Sequence, residues 1–270
     1  MEHIEAKITR LNEEVKSASN QQHGFRTFAD TLVFNSDLSA YHEIRAKTYS
    51  YIPDKTRIEI NAILNKSDVD MAIGDAIKKL LVRDILYLGA ECEMFGNIDI
   101  QNEFALLKKK LSSKLLSLKK VSPGTVNNFI DDWDKIKPEI VFISCHGNEY
   151  SLYIKKDDDS DCQAYNYTEL ADLFQKRGIY TKCVVLSACE SLNLGKAIVD
   201  YCDHVVCMNI KVDVGSATKY LQYFFQYIND HSMDNSSIYE EAHKAALEKI
   251  TLGALPTSFA FEFIKSNKIT

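Results

Sequence analysis

From Asp84 onward, short apolar runs rich in β-branched residues alternate with stretches in which apolar residues return every three or four positions. The first texture predicts buried strands and the second predicts amphipathic helices. "DILYLGA" reads as a strand ending at Gly89. "IQNEFALLKKKLSSKLLSL" reads as one long helix, with Phe104, Leu107, Leu111 and Leu115 along its apolar face. "GTVNNFIDDWDKI" is a second helix, stopped by Pro138, and "EIVFISCHG" is an apolar strand. "YTELADLFQKRG" is a helix with Gly178 at its C-terminus, "KCVVLSAC" a strand, "LGKAIVDYC" a helix and "HVVCMNI" a strand. Strands separated by helices of this length pair in parallel through crossovers, and continuous apolar runs suit strands covered on both faces. The expected fold is an α/β/α sandwich around a mostly parallel sheet.

The first part of the chain has another texture. Only Gly24 and Gly74 of the ten glycines precede position 80, and Pro53 is the one proline there. Ile4, Ile8, Leu11 and Val15 fall on one face of an opening amphipathic helix, and "DVDMAIGDAIKKLLVRD" forms a second helical pattern. Residues 1–82 are expected to be a helical region, regulatory or partner-docking, ahead of an α/β domain over 83–270. The alternative is that these helices simply cover part of the main core.

Composition narrows the classes. With 270 residues, 46% hydrophobic and 26% charged, the chain suffices for one large domain or a medium one with a smaller companion. A net charge of −6 supplies no basic stripe to neutralise phosphates, which argues against nucleic acid as the primary partner. The N-terminus lacks the apolar core of a signal peptide, and no run approaches the roughly eighteen apolar residues of a membrane span. The expectation is a cytoplasmic protein with no membrane contact. Seven cysteines, without C-x-x-C pairs or regular spacing, are expected to be free thiols there. Cys183 and Cys207, inside apolar runs, fit small buried hydrophobes.

Two strands end in reactive side chains, His146 in "SCHG" and Cys189 in "VVLSACES". In open α/β sheets ligands bind beyond the carboxyl ends of the strands, where both residues stand. A thiol with a pKa of about 8.5 is only slightly ionised at neutral pH and needs a base or a positive environment to act as nucleophile. His146 is placed to be that base, and the helix after Cys189 brings N–H groups that favour a thiolate. The N–H groups of Gly147 and Cys189 are candidates for an oxyanion hole.

A strand ending in "SCHG", a helix, and a strand ending in "VVLSACES" resemble the caspase-like cysteine peptidases, most closely the bacterial CHAT peptidases, relatives of separase and the caspases. "DILYLGAECE" with "IDIQNEFALLKKKL" resembles the opening strand and helix of CHAT domains. "HVVCMNIKVDVGSATKYLQYFFQYI" and "IYEEAHKAALEKI" resemble their strand, substrate loop and closing helices. The likeness runs from about Arg83 to Ile264 and departs at Cys145, where the family more often has a small residue. It implies a catalytic His146–Cys189 dyad, an oxyanion N–H from Gly147, no cofactor and no metal. It also implies endopeptidase action on a specific protein partner, as in bacterial antiviral immunity. A tightly specific intracellular protease is held in check, and the N-terminal helices, outside the likeness, are where an activating partner is expected to act.

Other readings compete. By the resemblance Asp213 lies in the loop that helps form the S1 pocket, where a carboxylate would favour a basic P1 residue; equally, it would cap the helix that follows. Glu190 and Ser191 either orient substrate or cap the helix after Cys189. "KKDDDSDC" lacks the Gly and distal Glu of an EF-hand and reads as a solvated turn. His204 and His243 are assigned no role. A phosphate-binding domain is disfavoured because neither G-x-G-x-x-G nor G-x-x-x-x-G-K-[ST] occurs. The main alternative to a peptidase is a catalytically inactive caspase-like scaffold that binds partners.

Overall fold

A computed structural model of the chain describes residues 83–96, 98–111, 116–156, 162–178, 181–231, 237–252 and 260–266. The expected N-terminal helices and the aspartates of "KKDDDSDC" lie outside the described residues. Among the described residues, six strands form one sheet in the order β2-β1-β3-β7-β8-β9. They are β1 (Arg83–Gly89), β2 (Leu116–Lys120), β3 (Ile140–Ser144), β7 (Cys183–Ser187), β8 (His204–Met208) and β9 (Phe261–Lys265). All neighbours are parallel except β8 and β9. A second, antiparallel sheet joins β4 (His146–Gly147), β5 (Ser151–Lys155) and β6 (Cys162–Asn166).

Side chains alternate across each strand, so the main sheet carries a core on each face. On one face Ile85, Tyr87, Ile140, Phe142, Val185 and Val206 pack against α1 (Ile100–Lys110), α5 (Val214–His231) and α6 (Ile238–Leu252). On the other, Leu86, Leu88, Val141, Ile143, Val184 and Leu186 meet α2 (Val126–Ile136), α3 (Tyr167–Arg177) and α4 (Leu192–Ile198). Strands buried on both sides are apolar at nearly every position, which is why they read as near-continuous runs. The three layers are the α/β/α sandwich expected from the sequence.

The helices stop where their caps say. Thr125 Oγ1 accepts from Asn128 N at 3.4 Å to start α2, and Lys137, in a left-handed conformation just before Pro138, ends it. Asn166 and Glu169 form a reciprocal capping box on α3, with Gly178 at its C-terminal cap. One expectation fails here: "IQNEFALLKKKLSSKLLSL" is not a single helix. α1 closes at Lys110, and Leu116–Lys120 is β2, in parallel register with Arg83–Tyr87. Leu116 and Leu118 fit a period of two as well as one of 3.6, and pairing with β1 decides between them. The hairpin β5–β6 and the antiparallel β9 were not anticipated either.

The cysteine expectation is corrected as well. Cys92 and Cys162 form a disulfide across 70 residues, whereas Cys145, Cys183, Cys189, Cys202 and Cys207 are free. No spacing rule identifies that pair, because the fold alone brings the turn after β1 to the first residue of β6. No helix among the described residues is long and apolar enough to cross a membrane.

At the amino ends of the strands, Glu139 accepts a hydrogen bond from Tyr239 Oη at 2.9 Å and lies 3.5 Å from Arg83 Nε and 3.8 Å from Lys182 Nζ. Charge on this buried edge is thus compensated, and the reactive residues stand at the opposite edge. His243 on α6 is buried, its Nδ1 2.8 Å from Tyr220 Oη on α5 and its ring stacked on Phe263. Burial disfavours the imidazolium and pushes the His243 pKa down from 6.5 to about 4. The unfolded chain therefore binds a proton that the folded chain refuses between these values. This contribution to stability is complete above pH 6.5 and is lost as pH falls toward 4. His243→Gln should flatten that acid slope by up to about 3 kcal/mol, read by urea unfolding at pH 7.5 and pH 4.

Candidate active site

β3 and β7 run side by side with Ser144 opposite Ser187, so the chain segments carrying His146 and Cys189 leave the sheet at the same edge. After Ser144 the chain changes sheets. Cys145 N still donates to Ser187 O at 3.3 Å, but His146 and Gly147 pair with Tyr153 and Leu152 of β5. Asn148 N donates to Ser151 O, so by the alternation of an antiparallel ladder the Gly147 N–H is directed away from β5. The Cys189 N–H has no backbone partner among the described residues.

Gly147 lies directly against the Cys189 segment. A Cβ at position 147 would stand 2.9 Å from the Cys189 carbonyl oxygen and 3.2 Å from Ala188 Cβ. Only glycine permits this approach. Tyr167, the first residue of α3, closes the same gap from the other side. Its hydroxyl is shared between the carbonyl oxygens of Asn148 and, at 3.2 Å, Glu190, so one side chain ties together the turns that follow the two reactive residues.

The Cys189 turn is strained and supported. Glu190 has φ of 58°, which costs a non-glycine residue about 1 kcal/mol or more. Ser191, fully buried, does not cap α4; its Oγ accepts from Met208 N at 3.1 Å and binds the turn to the end of β8. Glu190 makes no side-chain hydrogen bond among the described residues, so neither of the two helix-capping alternatives is observed. The half-buried Cys189 thiol lies 4.0 Å from the Val212 carbonyl, in the loop after β8. His146 and Cys189 make no direct hydrogen bond with each other.

His146 is fixed from the side of β1. Its Nε2 is 3.0 Å from Gly96 O. A backbone carbonyl only accepts, so Nε2 carries the proton in neutral His146 and Nδ1 is the basic nitrogen. Gly96 has φ of +97° and a Cβ there would meet nothing, so glycine serves the backbone conformation alone. The Phe95 ring packs 5.5 Å from His146 and 4.2 Å from Tyr153. Cys145 is buried among the apolar residues of the opposite face, and burial pushes its thiol pKa well up.

His146, Gly147, Cys189 and Glu190 are thus brought together. Asp213 flanks them but is engaged elsewhere: its Oδ1 accepts from Ser216 N at 2.9 Å at the start of α5, and hydrogen bonding from the Ser216 side chain and backbone holds its carboxyl below the usual range. The capping alternative is therefore present in the structure. Tyr167, Phe95, Gly96 and Val212 went unnoticed in the sequence, since backbone carbonyls and a tyrosine at a helix start leave no motif. Among the described residues no cluster of three or more His, Cys, Asp or Glu side chains forms a metal site.

Among solved structures, the chain is similar to the Arg-specific cysteine proteinase gingipain R (RgpB), at 12% identity and a TM-score of 0.46, over 86% of this chain and 52% of that one. It is also similar to the complex of Porphyromonas gingivalis RgpB pro- and mature domains, at 13% identity and a TM-score of 0.46, over 78% of this chain and 52% of that one. The chain spans about half the length of these structures. No family model matches it, and no curated protein matches it.

Substitutions at two positions probe this geometry. Gly147→Ala forces a methyl against backbone that cannot yield cheaply, and should cost about 1–3 kcal/mol, read as a lower Tm. Asp213→Ala should lower stability by about 1 kcal/mol through loss of the α5 cap, whereas Asp213→Asn should leave it nearly unchanged in the same measurement.

Proposed function

We propose that this chain is a cysteine endopeptidase with Cys189 as nucleophile and His146 as its base. The carrying observation is the joint placement of the two strand ends, with Gly147 packed on the Cys189 backbone while Gly96 holds Nε2 and leaves Nδ1 as the basic atom. In this reading His146 Nδ1 takes the thiol proton, and the thiolate adds to the scissile carbonyl carbon. The N–H groups of Gly147 and Cys189 receive the developing oxyanion. The proton then passes to the leaving amine, and water, deprotonated by the same Nδ1, hydrolyses the thioester and restores the thiol. No cofactor enters this cycle.

Substrate choice is proposed to involve Asp213 and Glu190. Asp213 is exposed on the loop whose Val212 carbonyl approaches the thiol, and a carboxylate there favours Arg or Lys at P1. On the resemblance of residues 83–264 to bacterial CHAT peptidases, we extend the proposal to cleavage of one specific protein partner in antiviral defence. An activator would engage residues 1–82. Substrate trapping with Cys189→Ala in the native host tests this extension: a captured protein with one mapped cleavage site supports it, and trapping no more than Cys189→Ala/His146→Ala does opposes it.

Cys189→Ala and His146→Ala should each lower kcat/KM by several orders of magnitude with unchanged thermal unfolding, while Cys145→Ala stays active. Substantial activity in Cys189→Ala sinks the dyad, and an intact fold without activity in the unaltered chain favours a binding scaffold. Asp213→Asn should lower kcat/KM for Arg- and Lys-terminated peptide reporters by about tenfold, because a charge-assisted hydrogen bond is lost. A preference for acidic P1 residues would remove Asp213 from the pocket.

A further inference from the structure

The turn that holds His146 is itself held by a reducible bond. Cys92 opens a tight turn, with Phe95 N donating to Cys92 O at 3.0 Å, and four residues later Gly96 presents its carbonyl to His146 Nε2. Beyond the disulfide the turn is largely open, with Met94 75% and Phe95 42% exposed, and the Phe95 ring on Tyr153 and His146 is its noncovalent hold on the hairpin. Cys92 is bonded to Cys162, which opens β6 opposite Lys155 of β5, and Tyr153 of β5 lies opposite His146. A closed ring results, from His146 through Gly96, Phe95 and Cys92, across the disulfide to β6, and through β5 back to His146. The disulfide is the one covalent cross-link between the turn and the hairpin sheet among the described residues.

We propose that the Cys92–Cys162 disulfide is a redox latch on His146, holding the imidazole in its Nε2–H tautomer when closed and releasing it when reduced. This rests on the reading of His146 and Cys189 as a catalytic pair and adds how that pair is regulated. The latch opens by exchange with a thiol-containing reductant. A reductant thiolate attacks Cys92 or Cys162 sulfur, and the protein S–S bond breaks with release of the other as a thiolate that takes a proton. A second reductant thiol resolves the mixed disulfide. Two electrons and two protons end on Cys92 and Cys162, and the reductant leaves as its own disulfide. Cys189 is untouched, so a reducing milieu sustains the nucleophile while it slackens the base. Phe95 and Gly96 act as positioning residues through their contacts with His146.

The test compares the full chain with the disulfide closed, the same protein after treatment with a dithiol and its removal under anaerobic conditions, and the Cys92→Ser/Cys162→Ser variant. Bond state is read by intact mass. Labelling of Cys189 by a peptidyl electrophile should be about tenfold slower in the opened protein and in the variant, whose rate no longer responds to the dithiol. Imidazole 15N signals of His146 should report a single Nε2–H tautomer when closed and tautomer averaging when open. Equal labelling rates and unchanged imidazole signals in the opened wild-type chain overturn the proposal, whatever happens to Tm. The wild-type comparison needs no substitution and so stands even where the variant fails to fold. If the electrophile labels Cys189 in neither state, the peptidase reading falls, and the His146 signals still decide the latch.

Discussion

The parallel register between β3 and β7 is the constraint on which the rest depends. Ser144 opposite Ser187 makes the two chains end level with each other, so the residues just beyond the ladder meet without long loops. Parallel strands hydrogen-bonded along five consecutive pairs and buried on both faces cannot slip by one residue without sending each apolar side chain to the wrong core. The distance between the Cys189 and His146 segments is therefore inherited from core packing. Loop conformation then only fine-tunes it, through Gly147, Tyr167 and the left-handed Glu190.

Those elements divide the labour. Gly147 contributes by lacking a side chain, whereas Tyr167 contributes by spanning two carbonyls with one hydroxyl. Ser191 gives up a helix cap to hold Met208 N–H. Each of these choices sacrifices a little local stability, in backbone freedom, φ or capping, for a fixed relation between turns, and the large two-faced core supplies the surplus. At the opposite edge Glu139, Arg83, Lys182 and Tyr239 cluster instead.

The strands of the main sheet from β1 to β8, apart from β2, were legible because burial on both faces removes polar residues from them. β2 was hidden: Leu116 and Leu118 satisfy helix and strand periods alike, and an edge strand with one buried face carries too few apolar positions to decide. β5 and β6 were missed because their alternation is short; the turn at Asn148–Ser151 that joins β4 to β5 carries no Gly-containing hairpin signal, and residues 157–161 between β5 and β6 lie outside the described residues. His146, Gly147 and Cys189 could be singled out because the end of a buried strand is a special place in this architecture, and the fold does bring their segments together. The contacts of His146 with Gly96 and Phe95, and the pairing of Cys92 with Cys162, were beyond reach, since each joins residues 50 or more positions apart with no recurring spacing. Asp213 remained ambiguous for another reason: a carboxylate before a helix is suited to capping and to ligand binding alike, and its bond to Ser216 N establishes the first without speaking to the second.

The Ser191–Met208 bond makes the Cys189 turn and the loop after β8 a single mechanical unit. Met208 is the last residue of its strand, and the chain leading from it passes over the thiol at Val212. One buried hydroxyl thus connects that loop to the peptide next to Glu190, whose backbone is in the left-handed region. The thiol and the wall beside it are therefore tied to each other as well as to the sheet.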